Sequence, residues 1–226
     1  MKTPIYSLRL RNGFSFTSSP SNNLFEVVKE VWFEKKYLPK NFVLNKSGTI
    51  VDIGANVGVF SVFASTLTNG KILAVEPFPD NCKYFEKNLK NNNVSNVIIE
   101  KVAISKKTGK RRINILGYDS GHSFYLPKKR KGSQLVNTNS LNSLMKKHNI
   151  KNIELLKVDC EGAEGELFSS LSSKTLKNIR NISMEFHDNC SSLSHQELEK
   201  LLQNVGFTTK LDWDGKSFFG YICASR

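Results

Sequence analysis

The sequence predicts an α/β fold on a mainly parallel sheet, and three observations carry that expectation. Short apolar strands alternate with amphipathic helical stretches; the stretch VDIGANVGVF, residues 51–60, joins a strand to a helix through a glycine turn; and the last residues read as a hairpin rather than one more parallel strand.

In chain order, IYSLRL and FSFTS suggest a small hairpin, and NLFEVVKEVWFEKKY an amphipathic helix with Val27, Val28, Val31 and Trp32 on its buried stripe; these belong to an N-terminal extension, residues 1–45. TIVDIG at 49–54 is a first buried strand, GVFSVFASTL its crossover helix and KILAVEP at 71–77 the second strand. PDNCKYFEKNLKNNN is helical, because Tyr84, Phe85 and Leu89 recur near helical spacing, and the Asn run ends it. NVIIEKVAI at 96–104 reads as the third strand. Residues 105–139 break the rhythm: basic, rich in Gly and Ser and too long for a simple loop, they read as an insertion or flap with a hairpin of its own. Alternation resumes with SLNSLMKKHN, a helix capped by Ser140, then IELLKVD as a fourth strand, EGELFSSL as a helix, NISMEFH as a fifth strand and HQELEKLLQNVG as its helix. Two β-rich runs close the sequence, separated by Trp213, Asp214 and Gly215, a hairpin turn signal.

A chain of 226 residues is most simply one domain with a core large enough to dispense with metal or disulfide staples. Cys82, Cys160, Cys190 and Cys223 are scattered, with no CxxC pair, so reduced thiols are expected. No apolar run is long enough to span a bilayer and the first residues lack the apolar core of a secretory signal, so the expectation is a soluble, cytoplasmic protein. The net charge is +13, and KKTGKRR at 106–112 and KKRKG at 128–132 concentrate part of it. Such a patch invites an anionic partner such as RNA, although a lysine- and asparagine-rich composition accounts for it equally well.

The turn after the first strand narrows the ligand. Glycines at the first, third and sixth positions would mark a dinucleotide site, but from Gly54 the third is Asn56 and the sixth Val59. Gly58 is followed by Val-Phe-Ser, so the phosphate-binding Gly-Lys-Ser/Thr is missing as well. What remains is Gly54, Ala55, Asn56 and Gly58 preceded by the carboxylate of Asp52, which repels a pyrophosphate and attracts a cation. One strand later Glu76 is placed to accept two ribose hydroxyls, Phe78 to lie against an adenine, and the backbone of Val102 and Ala103 to meet its edge. An adenosine with a cationic amino-acid tail satisfies all of these, and that ligand is S-adenosylmethionine.

VDIGANVGVFS, AVEPFPDN and LKVDCEGAEGEL, in this order and at these separations, resemble the FkbM family of S-adenosylmethionine-dependent methyltransferases, over the chain from about residue 30 to residue 186. The resemblance implies the class I (Rossmann-like) methyltransferase fold, a seven-stranded, mainly parallel sheet whose last strand is antiparallel. It also implies hydroxyl acceptors on glycans or small molecules. SGHS at 120–123 resembles a Gly-Ser element of the family near the cofactor, with His122 a departure from it.

Candidate catalytic residues end the fourth and fifth strands. Asp159 and Glu161 are two apart, as are Glu185 and His187, so in extended strands each pair shares a face and all four converge at one sheet edge. One chemical reading is a general base for an acceptor hydroxyl, with His187 or a crowded carboxylate tuned toward neutrality; the other is a divalent metal that orients a diol. The base reading is preferred, because no separate aspartate-rich metal signature is present. Glu164 and Glu166 are expected to serve the first turn of the helix that follows. The alternative to a glycan or small-molecule acceptor is RNA, held by the basic insertion with Phe124 and Tyr125 between its charge runs. A third reading, a nucleoside-binding scaffold without activity, leaves the four-residue cluster without a purpose.

Overall fold

The computed structural model describes residues 5–38, 42–115 and 132–226. A hairpin of β1 (Tyr6–Arg9) and β2 (Ser15–Ser18) comes first, then α1 (Leu24–Val28), which runs on as a π-helical turn over Lys29–Glu34. The first half of the main sheet follows: β3 (Ile50–Ile53), α2 (Val59–Ala64), β4 (Ile72–Val75), α3 (Pro79–Asn91) and β5 (Val97–Glu100). Next come β6 (Ala103–Ile104), β7 (Gly109–Ile115) and β8 (Gly132–Asn139), and then α4 (Leu141–Lys147), β9 (Ile153–Val158), α5 (Glu164–Ser170) and α6 (Ser173–Lys177). The last elements are β10 (Ile179–His187), α7 (His195–Asn204), β11 (Thr208–Asp212) and β12 (Phe219–Ser225).

The seven-stranded sheet has the order β11-β12-β10-β9-β3-β4-β5. Pairs β10–β9, β9–β3, β3–β4 and β4–β5 are parallel, whereas β12 runs antiparallel between β10 and β11. This is the class I methyltransferase sheet that the sequence led us to expect. Alternation along the strands sends neighbours to opposite faces. Val51, Ile53, Leu156 and Val158 pack with Leu144, Leu167 and Leu198 of α4, α5 and α7, while Ile50 and Leu155 pack with Leu24, Val28 and the apolar residues of α2. The strand order reverses between β3 and β9, with β4 and β5 on one side of β3 and β9 and β10 on the other, and this switch point opens a crevice at the carboxyl ends of the strands, where such folds place ligands.

Two expectations about elements are corrected and one is extended. Residues 96–104 do not form one strand: Val102 N–H donates to Glu100 O in a tight turn, and β6 leaves the main sheet to pair with β8. The insertion has the antiparallel pair expected of it, β7 with β8, and β6 joins that pair to make a three-stranded sheet of order β6-β8-β7. The N-terminal helix has one regular turn before its π segment, which ends at Lys35 in the left-handed region (φ 54). SGHS, Phe124, Tyr125 and residues 128–131 lie outside the described residues. Ser140 caps α4 as expected, accepting from Ser143 N–H, and the four cysteines are free thiols. Among the described residues no helix is long and apolar enough to cross a membrane.

Candidate functional site

The glycine turn is rigid before any ligand enters it. Gly54 (φ +74), Asn56 (φ 50) and Gly58 (φ +85) all occupy the left-handed region, which only glycine adopts without cost and asparagine tolerates. A Cβ on Gly54 would stand 1.6 Å from Asp159 O, and one on Gly58 would stand 2.0 Å from the ring of Phe85. Gly54 N–H and Ala55 N–H both donate to Val75 O, and Asn22 Nδ2 donates to Asn56 Oδ1, so β4 and the N-terminal segment grip the turn from both sides.

A cleft of about 640 Å³, open solvent at its mouth included, lies above this turn. Gly54, Asn56, Glu76, Phe78, Val102 and Ala103 of the expected set line it, joined by Asn81, Ile104 and Ile113, which the sequence did not single out. Glu76 Oε2 accepts from Asn56 N–H (2.8 Å), and Oε1 accepts from Phe78 N–H (3.0 Å) and Asn81 Nδ2 (3.1 Å). A carboxylate offers about four acceptor positions, so Oε2 keeps one for a ligand hydroxyl. Burial raises the pKa of Glu76 and these hydrogen bonds oppose it. Beside it, Phe78, Val102, Ala103, Ile104 and Ile113 make an apolar slot suited to a flat base.

Asp52, Ala55 and Gly58 stand apart from the cleft lining and shape the turn from beneath. Asp52 differs most from its expected role. Its side chain is wholly buried because alternation turns it away from Val51 and Ile53, toward α2. There Ser61 Oγ donates to it at 2.7 Å, and Lys157, its direct partner across the parallel pair β3–β9, places Nζ 3.2 Å from Oδ1. Lys157 Nζ also donates to Gly54 O (2.9 Å) and lies 3.7 Å from Asp159 Oδ2. Burial alone would lower the pKa of Lys157; the charges of Asp52 and Asp159 outweigh that and raise it. A buried ammonium thus ties the turn to the end of β9.

The second group assembles where β9 and β10 end. Asp159, Glu161 and His187 bring one donor atom each within 4.8 Å of one another. Glu161 arrives there differently from the expectation: β9 stops at Val158, and Glu161 sits in a turn with φ 52, so the left-handed turn aims its carboxylate where strand alternation was expected to. His187 Nε2 lies 3.6 Å from Glu161 Oε2, and Nδ1 lies 3.1 Å from Glu164 Oε1. Glu185 joins through Tyr37, whose hydroxyl is 2.8 Å from Glu185 Oε2 and 3.1 Å from Asp159 Oδ2. Tyr37 is held edge-on by Phe60 and by Tyr221, and Tyr221 pairs with Glu185 across β10–β12.

Crowding moves the protons of this group. Burial and then the neighbouring charges push Glu185 up to about 7; burial, only partly offset by His187, pushes Glu161 up to about 8. For His187 burial acts downward, but the hydrogen bond and charge of Glu164, with Glu161 and Asp159, push it up to about 10. Without a ligand His187 therefore holds its proton through the neutral range, with Nδ1 toward Glu164 and Nε2 toward Glu161. Burial pushes the Cys160 thiol well above its ordinary value, which leaves it unreactive.

Glu164 and Glu166 also correct an expectation, since both are buried and neither merely decorates a helix start. Glu164 Oε1 accepts from Cys160 N–H and Gly162 N–H, so it shapes the turn that carries Glu161. Glu166 accepts from Ser105 Oγ, Lys106 N–H and Arg111, fastening the three-stranded insertion to α5. Sequence reasoning missed Tyr37, Asn81 and Lys157. Lys157 had a signal available, a lysine inside an otherwise apolar buried strand.

A family model described as the methyltransferase FkbM domain matches residues 52–209. Methyltransferase 1 of Beauveria bassiana (strain ARSEF 2860) is 26% identical over 235 residues, covering 92% of this chain and 93% of the relative. The 31-O-demethyl-FK506 methyltransferase FkbM of Streptomyces tacrolimicus is 23% identical over 245 residues, covering 95% and 93%. The crystal structure of the methyltransferase FkbM from Methylobacillus flagellatus KT matches with a TM-score of 0.59 at 13% identity, over 87% of this chain and 47% of that one, so this chain spans about half of it. A Streptococcus mutans chain in complex with SAH matches with a TM-score of 0.50 at 13% identity, over 81% and 92%. The two structural likenesses concern the fold.

Proposed function

The chain belongs to the FkbM-domain methyltransferases, and from that premise we propose that it transfers the methyl group of S-adenosylmethionine to a hydroxyl of a glycan or small-molecule acceptor. The observation that supports this most is a shared wall: Asp159 and Glu161 line the cleft above the glycine turn and also belong to the carboxylate–imidazole group. The methyl donor and the proton-accepting groups are thereby neighbours.

S-adenosylmethionine supplies a methyl on a cationic sulfur, open to in-line displacement. The chain's part is to hold and to orient. Glu76 accepts one ribose hydroxyl on Oε2, and Phe78, Ile104 and Ile113 enclose the base. The turn of Gly54 and Asn56 fixes the direction of the tail. Because Asp52 is neutralised by Lys157 beneath the turn, attraction for the cationic tail passes to Asp159 and Glu161. A carboxylate of the group takes the acceptor's proton as the new O–C bond forms. A hydroxyl acceptor is further supported by the S. tacrolimicus relative, whose name places its methyl on an oxygen.

Calorimetry with S-adenosylmethionine should show binding that Glu76→Ala weakens by about 10-fold or more, the loss of charge-assisted hydrogen bonds. His187→Ala should abolish turnover and spare cofactor binding, and Asp159→Ala should abolish turnover while also weakening the cofactor's hold. Unchanged cofactor affinity in Glu76→Ala, or full turnover in both other variants, refutes the assignment. The RNA alternative draws on the exposed Lys106, Lys107, Lys110 and Arg112 around β7. It requires RNA binding at low salt that falls steeply as salt is added; no binding at low salt rules it out.

A further inference from the structure

We propose that Asp159, Glu161 and His187 form a site for one divalent transition-metal ion, and that acceptor oxygens bind to this ion. For the chemistry of the acceptor the proposal rests on the reading above; for the ion it stands on the geometry.

The donor set comes first. Two carboxylates and one imidazole place their ligand atoms within 4.8 Å of one another, and His187 Nε2 and Glu161 Oε2 are 3.6 Å apart. A six-coordinate ion with bonds of roughly 2.2 Å separates neighbouring donors by about 3 Å and opposite donors by about 4.4 Å, so small side-chain adjustments close the site. Mixed carboxylate and imidazole donors suit an Mn²⁺-like ion better than Mg²⁺ or Ca²⁺, which favour oxygen alone, or a structural zinc, which favours thiolates.

The surroundings point the same way. Glu164 Oε1 holds Nδ1 of His187, leaving Nε2 directed at Glu161, the arrangement in which a carboxylate orients a metal-bound histidine. The side chain of Glu164 is completely buried, yet its Oε2 has no hydrogen-bond partner. Burying a charge costs several kcal/mol, by order of magnitude; His187 offsets part of that through Oε1, and a cation beside the group would offset more. Lys157, the ammonium closest at hand, is divided among Asp52 (3.2 Å), Gly54 O (2.9 Å) and Asp159 (3.7 Å). Lys157 and His187 thus face five carboxylates, Asp52, Asp159, Glu161, Glu164 and Glu185.

The site also has a use. Glu161 and Asp159 border the cofactor cleft; Glu161 and His187 border a second cleft, lined on its far side by Asn189, Lys216 and Phe219. An ion there stands where the two clefts meet, with about three of six coordination positions free. Those positions fit an acceptor that chelates, a vicinal diol or a hydroxyl beside a carbonyl, and the ion lowers the pKa of the hydroxyl it holds.

The test is titration of the ion-free full chain with Mn²⁺, read as loss of the free-ion signal in electron paramagnetic resonance. One saturable ion per chain is expected at sub-millimolar concentration. Glu161→Gln and His187→Ala should weaken it by more than about 10-fold, and Glu164→Gln, which removes no ligand, by about 10-fold. S-adenosylhomocysteine affinity should be unchanged in His187→Ala, whose side chain stands outside the cofactor cleft lining. Chelator-treated enzyme should lose turnover and recover it with Mn²⁺. The proposal is overturned if the wild type takes up no Mn²⁺, if every variant takes it up equally, or if the chelated enzyme keeps its full rate. Should His187→Ala fail to fold, the wild-type titration and Glu161→Gln decide the matter. Loss of cofactor binding in the wild type would overturn the methyltransferase reading instead, so the two failures are distinguishable.

Discussion

Lys157 shows how one residue can serve two halves of a site without touching a ligand. Its Nζ lies 3.2 Å from Asp52 and its side chain is only 4% exposed. Lys157→Met strands Asp52 as an unpaired buried charge, so stability measured by urea unfolding should fall by about 3–5 kcal/mol. The double variant Lys157→Met/Asp52→Asn removes both charges and should recover part of that, with a coupling of about 1–3 kcal/mol. Strictly additive losses would show that the pair is not a unit. At this scale the sequence was legible in part. Glu76 and Phe78 were recognisable because each sits just beyond a strand end, where side chains meet a ligand. Asp52 was misread because a strand residue and a turn residue look alike until the register with Lys157 is known. Tyr37 was invisible: its hydroxyl meets Glu185 across 148 residues of sequence, and no local pattern encodes a contact of that span.

Among the elements, the N-terminal hairpin is fastened to α3 by two side chains, Asn92 on Ser15 and Asn88 on Thr17. Asn88, completely buried on α3, accepts from Thr17 N–H and Oγ1 and donates to Thr17 O and Val57 O. Asn88→Ala leaves those backbone groups without partners, at about 1–3 kcal/mol. Hydrogen exchange over residues 15–18 should accelerate before that of β3 or β4; protection that stays equal in all three would contradict this attachment. The apolar strands and the helix caps were readable because a strand buried on both faces and a serine before a helix each carry a local signal. The break between β5 and β6 was not, since Val102, Ala103 and Ile104 are as apolar as a continuing strand would be. The π turn before Tyr37 escaped for a similar reason: its buried valine and tryptophan fit a regular helix equally well.

For the molecule as a whole, the cleft and the sheet are one cooperative object, because the glycine turn, β4, β9 and the N-terminal segment hold one another. Ligand binding should therefore register as global stability: S-adenosylhomocysteine at 100 times its Kd adds about 2.7 kcal/mol, which for a chain of this size raises Tm by about 5–10 °C. A melting temperature that does not move would separate the cleft from the fold. The order of the whole sheet was anticipated through a family likeness more than through periodicity, which gave the strands but not their neighbours. The place of β12 has a consequence for biosynthesis. This strand enters between β10 and β11, both made before it, and its Tyr221 braces Tyr37 behind the carboxylates. Until residues 219–225 have left the ribosome, β10 presents a bare edge open to pairing with other chains. Until that strand is in place the nascent chain is both inactive and prone to aggregate, and β10 is the edge a chaperone has to protect.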